Sequence, residues 1–132
     1  MVNVPTRQTL YCRPGITDAV LLWDTFRDKF HLPPESVTFP KVILDLGANV
    51  GFTAGDFAVR YPDAKIILVE MDADNSRVAR RNIDPWRNRC LLVNAAVWTA
   101  DGEISYEGDE EWGFRIGDEE TQAKVGLKTA TA

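Results

Sequence analysis

One short stretch restricts the fold of this 132-residue chain more than any other: residues 41–46 (KVILDL), running directly into Gly47. Six residues, mostly apolar and β-branched, are too few for a buried helix, and with a glycine stop they predict a strand buried in a parallel sheet. The pattern then repeats. Residues 51–61 read as a helix closed by Pro62, and residues 65–70 (KIILVE) as a second buried strand. Residues 74–83 read as a basic, polar-faced helix with Pro85 just beyond, and residues 90–95 (CLLVNA) as a third strand, with Cys90 a small buried hydrophobe at its start. Strand, helix, strand, helix, strand with short connections is half of a doubly wound α/β sheet, and right-handed crossovers are the rule for such units.

The flanks follow other periods. Upstream, Ile16, Ala19, Val20, Trp23, Phe26 and Phe30 recur at helical spacing. They predict one helix whose Trp23, Phe26 and Phe30 enter the core. Thr17 or Asp18 is suited to cap its start, and Pro33-Pro34 ends it after His31, which reads as a last-turn residue favourable to the helix dipole. Downstream, Asp101-Gly102 is a turn signal, residues 103–106 alternate with the strand period, and residues 112–116 are the natural antiparallel partner. Trp98 and Trp112 are expected to pack beneath that hairpin. Residues 121–132 show no periodicity. The organisation expected is a helical cap over residues 1–36 and a partial ligand-binding domain over residues 37–132, truncated at its C-terminal side.

Charge excludes one class of partner. Of the net charge of −5, residues 101–132 carry 9 acidic against 3 basic side chains, whereas residues 1–100 are nearly balanced. The acidic run reads as solvated loop or hairpin, and nothing resembles the basic stripe of a nucleic-acid binder. No apolar run is long enough to span a bilayer and the N-terminus lacks a signal-peptide layout, so no membrane association and a cytoplasmic location are expected. Cys12 and Cys90 have neither disulfide-scaffold nor metal-site spacing, and no metal is expected.

Chemistry concentrates where a sheet of this kind binds ligands, at the carboxyl ends of its strands. The first strand delivers Asp45-Leu46-Gly47-Ala48-Asn49-Val50-Gly51-Phe52. Gly47 and Gly51 permit a sharp turn and close approach of backbone to ligand. A dinucleotide fingerprint requires three glycines where this chain has Gly47, Asn49 and Phe52, and a P-loop requires a lysine after the second glycine, where Phe52 stands. Both phosphate readings fail. An acid two residues before the first glycine instead suits a cationic head such as an amino group. Glu70 ends the second strand and is placed to accept hydrogen bonds from both hydroxyls of a ribose. Asn94-Ala95-Ala96 ends the third, where an amide and small side chains would border an adenine. An amino-acid end, a ribose and no cradled phosphate describe S-adenosylmethionine. Taken singly, Asp45 and Glu70 also read as strand-end structural acids, and Asn94 as a turn residue.

The runs VILDLGANVGFTA, ILVEMDADN and LLVNAAVW-TADGEISYE, with YCRPGITDAVLLWDTF upstream, resemble the FkbM-type class I methyltransferases over about residues 11–117. The resemblance implies a Rossmann-like sheet, S-adenosylmethionine as cofactor, and O-methylation of a hydroxyl on a sugar or a natural-product-like small molecule. By position it implies Asp45, Gly47, Ala48, Asn49 and Gly51 around the methionine portion. It places Glu70 on the ribose, Met71 and Asp72 flanking the adenine, and Asn94 and Ala95 at its edge. Met71 departs from the proline usual there. The family pattern continues after the hairpin with a strand carrying Lys-x-Asp-x-Glu-Gly, which this sequence does not contain. The expected sheet is therefore incomplete, with three parallel strands and a hairpin, and residues 41–46 have an unpaired edge. Self-association, a tail strand such as residues 103–106, or a further segment is expected to cover it. No residue is assigned as a catalytic base. Two other readings stay open: an inactive cofactor-binding or interaction module of the same fold, and a different nucleotide-using enzyme such as a dehydrogenase.

Overall fold

A computed structural model describes residues 8–15, 17–107, 115–116 and 128–131. The alternation expected from the sequence forms as β1 (Val42–Leu46), α2 (Phe52–Arg60), β2 (Lys65–Val69), α3 (Ala73–Ile83) and β3 (Cys90–Val93), with α1 (Asp18–Trp23) upstream. The three strands are parallel and lie in the order β1-β2-β3. Register is fixed by pairs such as Asp45 with Leu68, and Leu68 with Leu92.

That register sorts the side chains onto two unequal faces. Ile66, Leu68 and Cys90 point to one side and form the core with Ala54 and Ala58 of α2 and Ile83 of α3; Ile43, Phe57, Trp86 and Leu92 pack against it. Val42, Leu44, Leu46 and Leu91 point to the other side and are 56–60% exposed. The expectation of a strand buried on both faces is therefore corrected for β1. Both helices that follow its crossovers lie on one side, and the period-2 alternation leaves the opposite side chains in the open.

The upstream helix also departs from its expected form. Regular α1 gives way at Asp24–Asp28 to a π-helical turn, stopped by Lys29 at φ 52°. The wider turn breaks the 3.6-residue spacing between Trp23 and Phe30. Trp23 and Phe30 are 58% and 69% exposed, not core, and Phe26 alone of the three reaches a core residue, with its ring 6.4 Å from that of Phe52. Ile16 lies outside the described residues. Asp18 does not cap α1. Its fully buried carboxylate instead accepts from the backbone N–H of Arg13 and from the Arg13 guanidinium at 2.8–3.1 Å.

Downstream, β4 (Glu103–Glu107) pairs antiparallel with β5 (Arg115–Ile116), as the sequence predicts for that part of the hairpin; Trp112 lies outside the described residues. The unexpected partner is β6 (Lys128–Thr131), on the other side of β4. These strands form a second sheet, so β4 does not fill the edge of β1, which has no neighbour beyond β2 among the described residues. Trp98 is 53% exposed rather than packed beneath the hairpin. No helix among the described residues is long and apolar enough to cross a membrane, and among them no cluster of side chains is arranged to hold a metal.

Candidate functional site at the carboxyl ends of the strands

The β1–α2 turn begins with the chain leaving β1 through Gly47 at φ 81°, with the N–H groups of Gly47 and Ala48 donating to the carbonyl of Val69 at 2.9 and 3.0 Å. Asn49 and Gly51 also adopt positive φ, 48° and 77°. The two glycines differ in what surrounds them. A Cβ on Gly47 would meet nothing within 4 Å, whereas one on Gly51 would lie 3.3 Å from Cα and Cβ of Ala79 in α3. Gly47 is open to a ligand. Gly51 backs onto α3, so helix packing constrains this position besides any part it takes in ligand approach. Ala48 is buried in the core cluster.

Glu70, expected to hold a ribose, is turned into the fold. Only 5% exposed, it accepts from the Asn49 N–H through Oε2 and from the Asp72 N–H through Oε1, both at 2.8 Å. Burial pushes its carboxyl up, while the Asp72 and Asn49 N–H groups and the Asn75 side chain pull it back. Its carboxylate is thus a clasp between the glycine turn and the end of β2. Asp72, expected at the adenine, caps α3 by accepting from the N–H groups of Asp74 and Asn75 at 3.0 and 2.9 Å, as an acid at an N-cap does. The Asn94 amide donates to the carbonyls of Glu70 and Met71 at 2.8 and 3.0 Å, tying the ends of β2 and β3 together. Ala95 is half-buried beside Ala96, whose N–H donates to Thr131 of β6 at 2.6 Å.

Asp45 behaves differently. It lies on the helix-covered face of β1, and its Oδ2 is buried with no hydrogen-bond partner. Burial lifts its carboxyl to about 6, with His31 opposing the rise and Glu70 adding to it.

Several residues that organise this end of the sheet carried no strong sequence signal. Arg13, besides holding Asp18, donates to Asn75 Oδ1 at 2.8 Å, and so fastens the upstream segment to the start of α3. Asn82, fully buried, exchanges hydrogen bonds with the backbone of Tyr11 and donates to the Val50 carbonyl. His31 lies past the helix it was expected to end. Its side chain is 4% exposed, with Nε2 2.9 Å from Asp56 Oδ2 and the ring edge-on to Phe57. The upstream Arg-Pro-Gly-x-Thr-Asp run was the available signal for Arg13 and Asp18; Asn82 and His31 had none. Cavities of about 290 and 190 Å³ lie beside Trp86 and beside Phe39 and Tyr61, away from the carboxyl ends of the strands.

No protein-family model matches the chain, and no curated protein does. Among solved structures, the chain is similar to a putative RNA methyltransferase from Pyrococcus horikoshii, at 18% identity and a TM-score of 0.44 over 66% of this chain and 45% of that one. It is similar to a precorrin-6y C5,15-methyltransferase from Geobacter metallireducens GS-15, at 14% identity and 0.41 over 69% and 44%. A coclaurine N-methyltransferase bound to N-methylheliamine and SAH gives 14% and 0.41 over 74% and 29%. The chain spans less than half the length of each. At such identities and scores, the likeness adds nothing to the parallel α/β arrangement already described.

Proposed function

We propose that this chain is the cofactor-binding part of an S-adenosylmethionine-dependent methyltransferase of the FkbM type. The observation that carries the reading is Asp45. A largely buried carboxylate with an oxygen unmatched by the protein, two residues before an open glycine turn, fits a cationic amino-acid head group and not a phosphate. Gly47, Ala48 and Asn49 would border the methionine portion. Glu70 would meet the ribose through the lone pairs that its two amide contacts leave over, since an ionised carboxylate accepts at about four sites. Met71 and Ala95 would flank the adenine. When bound, the cofactor supplies a methyl group on a sulfonium for in-line transfer to the acceptor.

The chain's own residues hold and orient the donor, which is the near-attack positioning such a transfer needs. The motif resemblance favours a hydroxyl of a sugar or natural-product-like small molecule as the acceptor. A soluble setting with neither nucleic acid nor membrane as partner accords with the charge distribution.

Titration calorimetry with S-adenosylhomocysteine and with NAD tests the proposal. Binding of the first and not the second is expected, and the reverse would overturn it. Methyl transfer measured with this chain and with a longer polypeptide separates transfer from binding alone.

A further inference from the structure

A continuous chain of polar contacts runs from the upstream segment to the end of β2. Asp18 is fully buried, and its carboxylate accepts from Nε and Nη2 of Arg13 at 3.1 and 2.8 Å. The same Nη2 donates to Asn75 Oδ1 at 2.8 Å. Asn75 is 1% exposed and stands in the first turn of α3, where its backbone N–H donates to Asp72 Oδ1 at 2.9 Å. The Asp72 N–H in turn donates to Glu70 Oε1 at 2.8 Å, and the Asn75 side chain hydrogen-bonds the same carboxylate.

The groups themselves fix the direction of this chain. A guanidinium only donates and an ionised carboxylate only accepts, so an amide between them has one arrangement, its carbonyl toward Arg13 and its NH2 toward Glu70. Arg13 thereby sets which end of Asn75 faces the strand end. Asp18 holds Arg13 through a two-pronged contact of the charge-assisted kind. With the Asn49 N–H on Oε2 and the Asp72 N–H on Oε1, the Asn75 amide narrows and fixes the acceptor directions that Glu70 keeps for a ligand.

We propose that Arg13 is a positioning residue for the ribose contact: clamped by Asp18, it locks the Asn75 amide against Glu70 and so aims that carboxylate at the ribose hydroxyls of the cofactor. The inference rests on the S-adenosylmethionine reading. It makes the upstream segment part of the nucleoside site, and selectivity for a ribonucleoside over its deoxy counterpart is the property it confers. A residue that merely fastened the segment to α3 would serve both ligands equally.

The test compares S-adenosylhomocysteine with its 2′,3′-dideoxy analogue by titration calorimetry, in the wild type and in Arg13→Met/Asp18→Asn. The double variant removes the clamp without leaving a buried charge unpaired, and the amide in place of Asp18 keeps an acceptor for the backbone N–H of the clamp. The wild type should prefer the ribose ligand about tenfold, the size of one charge-assisted contact. In the variant the preference should shrink to about twofold or less, with the dideoxy analogue binding as before. An equal loss for both ligands, or a preference kept intact, overturns the role of Arg13. A wild type that binds both ligands alike overturns the ribose contact on which that role depends, while the cofactor reading stands. A wild type that binds neither overturns the cofactor reading, and this inference with it. A second measurement uses the wild type alone, reading the side-chain amide of Asn75 by NMR. S-adenosylhomocysteine should shift that resonance and the dideoxy analogue should not; a resonance that responds to both alike overturns the proposal even if the variant fails to fold.

Discussion

Two neighbouring strand ends carry carboxylic acids and use them in different ways. At the end of β2, both oxygens of Glu70 are occupied by backbone N–H groups of the chain itself. At the end of β1, Asp45 has a buried oxygen with no partner. A carboxylate that receives a backbone N–H on each oxygen is tied into the fold even where lone pairs remain over. One left partly unmatched costs stability, because its charge is desolvated without compensation, and that cost is what a ligand recovers on binding. Position at a strand terminus therefore does not say how far an acid is satisfied from within; the neighbouring N–H groups do.

The sharpest way to break the comparison is Glu70→Ala. It strips the acceptors from two backbone N–H groups, the Asp72 bond being wholly buried. Unfolding by urea should show a loss of about 4 kcal/mol, as expected when two partners of a buried charged group are left unmatched. A variant of wild-type stability would show that the clasp contributes nothing to the fold.

The glycines give a second, smaller contrast. Gly51→Val should cost about 3 kcal/mol, from the side chain driven against Ala79 and a β-branched residue at φ 77°. Gly47→Ala should cost about 1 kcal/mol, since only the left-handed backbone opposes it, while lowering S-adenosylhomocysteine affinity. Thermal melts paired with calorimetry check both. Equal losses of stability would erase the distinction between a packing glycine and a binding one.

The third effect is a pH dependence. The carboxyl of Asp45 stands at about 6 in the fold, above its ordinary value of 3.8. The folded state therefore holds that proton more tightly than the unfolded chain does. The associated stability is fully present below about pH 4 and is lost as pH rises through about 6, amounting to about 2 kcal/mol after allowance for solvent screening. Glu70 is raised too and contributes in the same direction. Urea midpoints of the ligand-free protein should fall across this window, and Asp45→Asn should flatten most of the slope. A slope unchanged in Asp45→Asn would mean that another group titrates there.

Much of this was legible in the sequence. The parallel strands and the helices between them were, because short apolar runs punctuated by Gly47, Pro62 and Pro85 encode length and direction locally. Strand-end placement of Asp45, Gly47, Glu70 and Asn94 was legible for the same reason. Their division of labour was not. Whether Glu70 points out or in depends on the β1–α2 turn presenting the Asn49 N–H to the carboxylate, and no spacing rule states that. The exposure of Trp23 and Phe30 was misread because helical periodicity assumes 3.6 residues per turn, and the π-helical turn at Asp24–Asp28 breaks the count. His31 escaped because its partner Asp56 lies 25 residues away, beyond any local pattern.

The clasps of the upstream segment bear on the order in which the molecule assembles during synthesis. Arg13 and Asp18 are five residues apart and can meet as soon as both leave the ribosome. The partners that fix them to the body, Asn75 for Arg13 and Asn82 for Tyr11, lie 62 and 71 residues further along. Domains grow from their N-termini, and contacts between distant residues must wait for the loop between them to close. The segment carrying Arg13 and Asp18 thus emerges before its docking partners. It settles only when α3 has been translated, so these clasps form late although one half of each is made early.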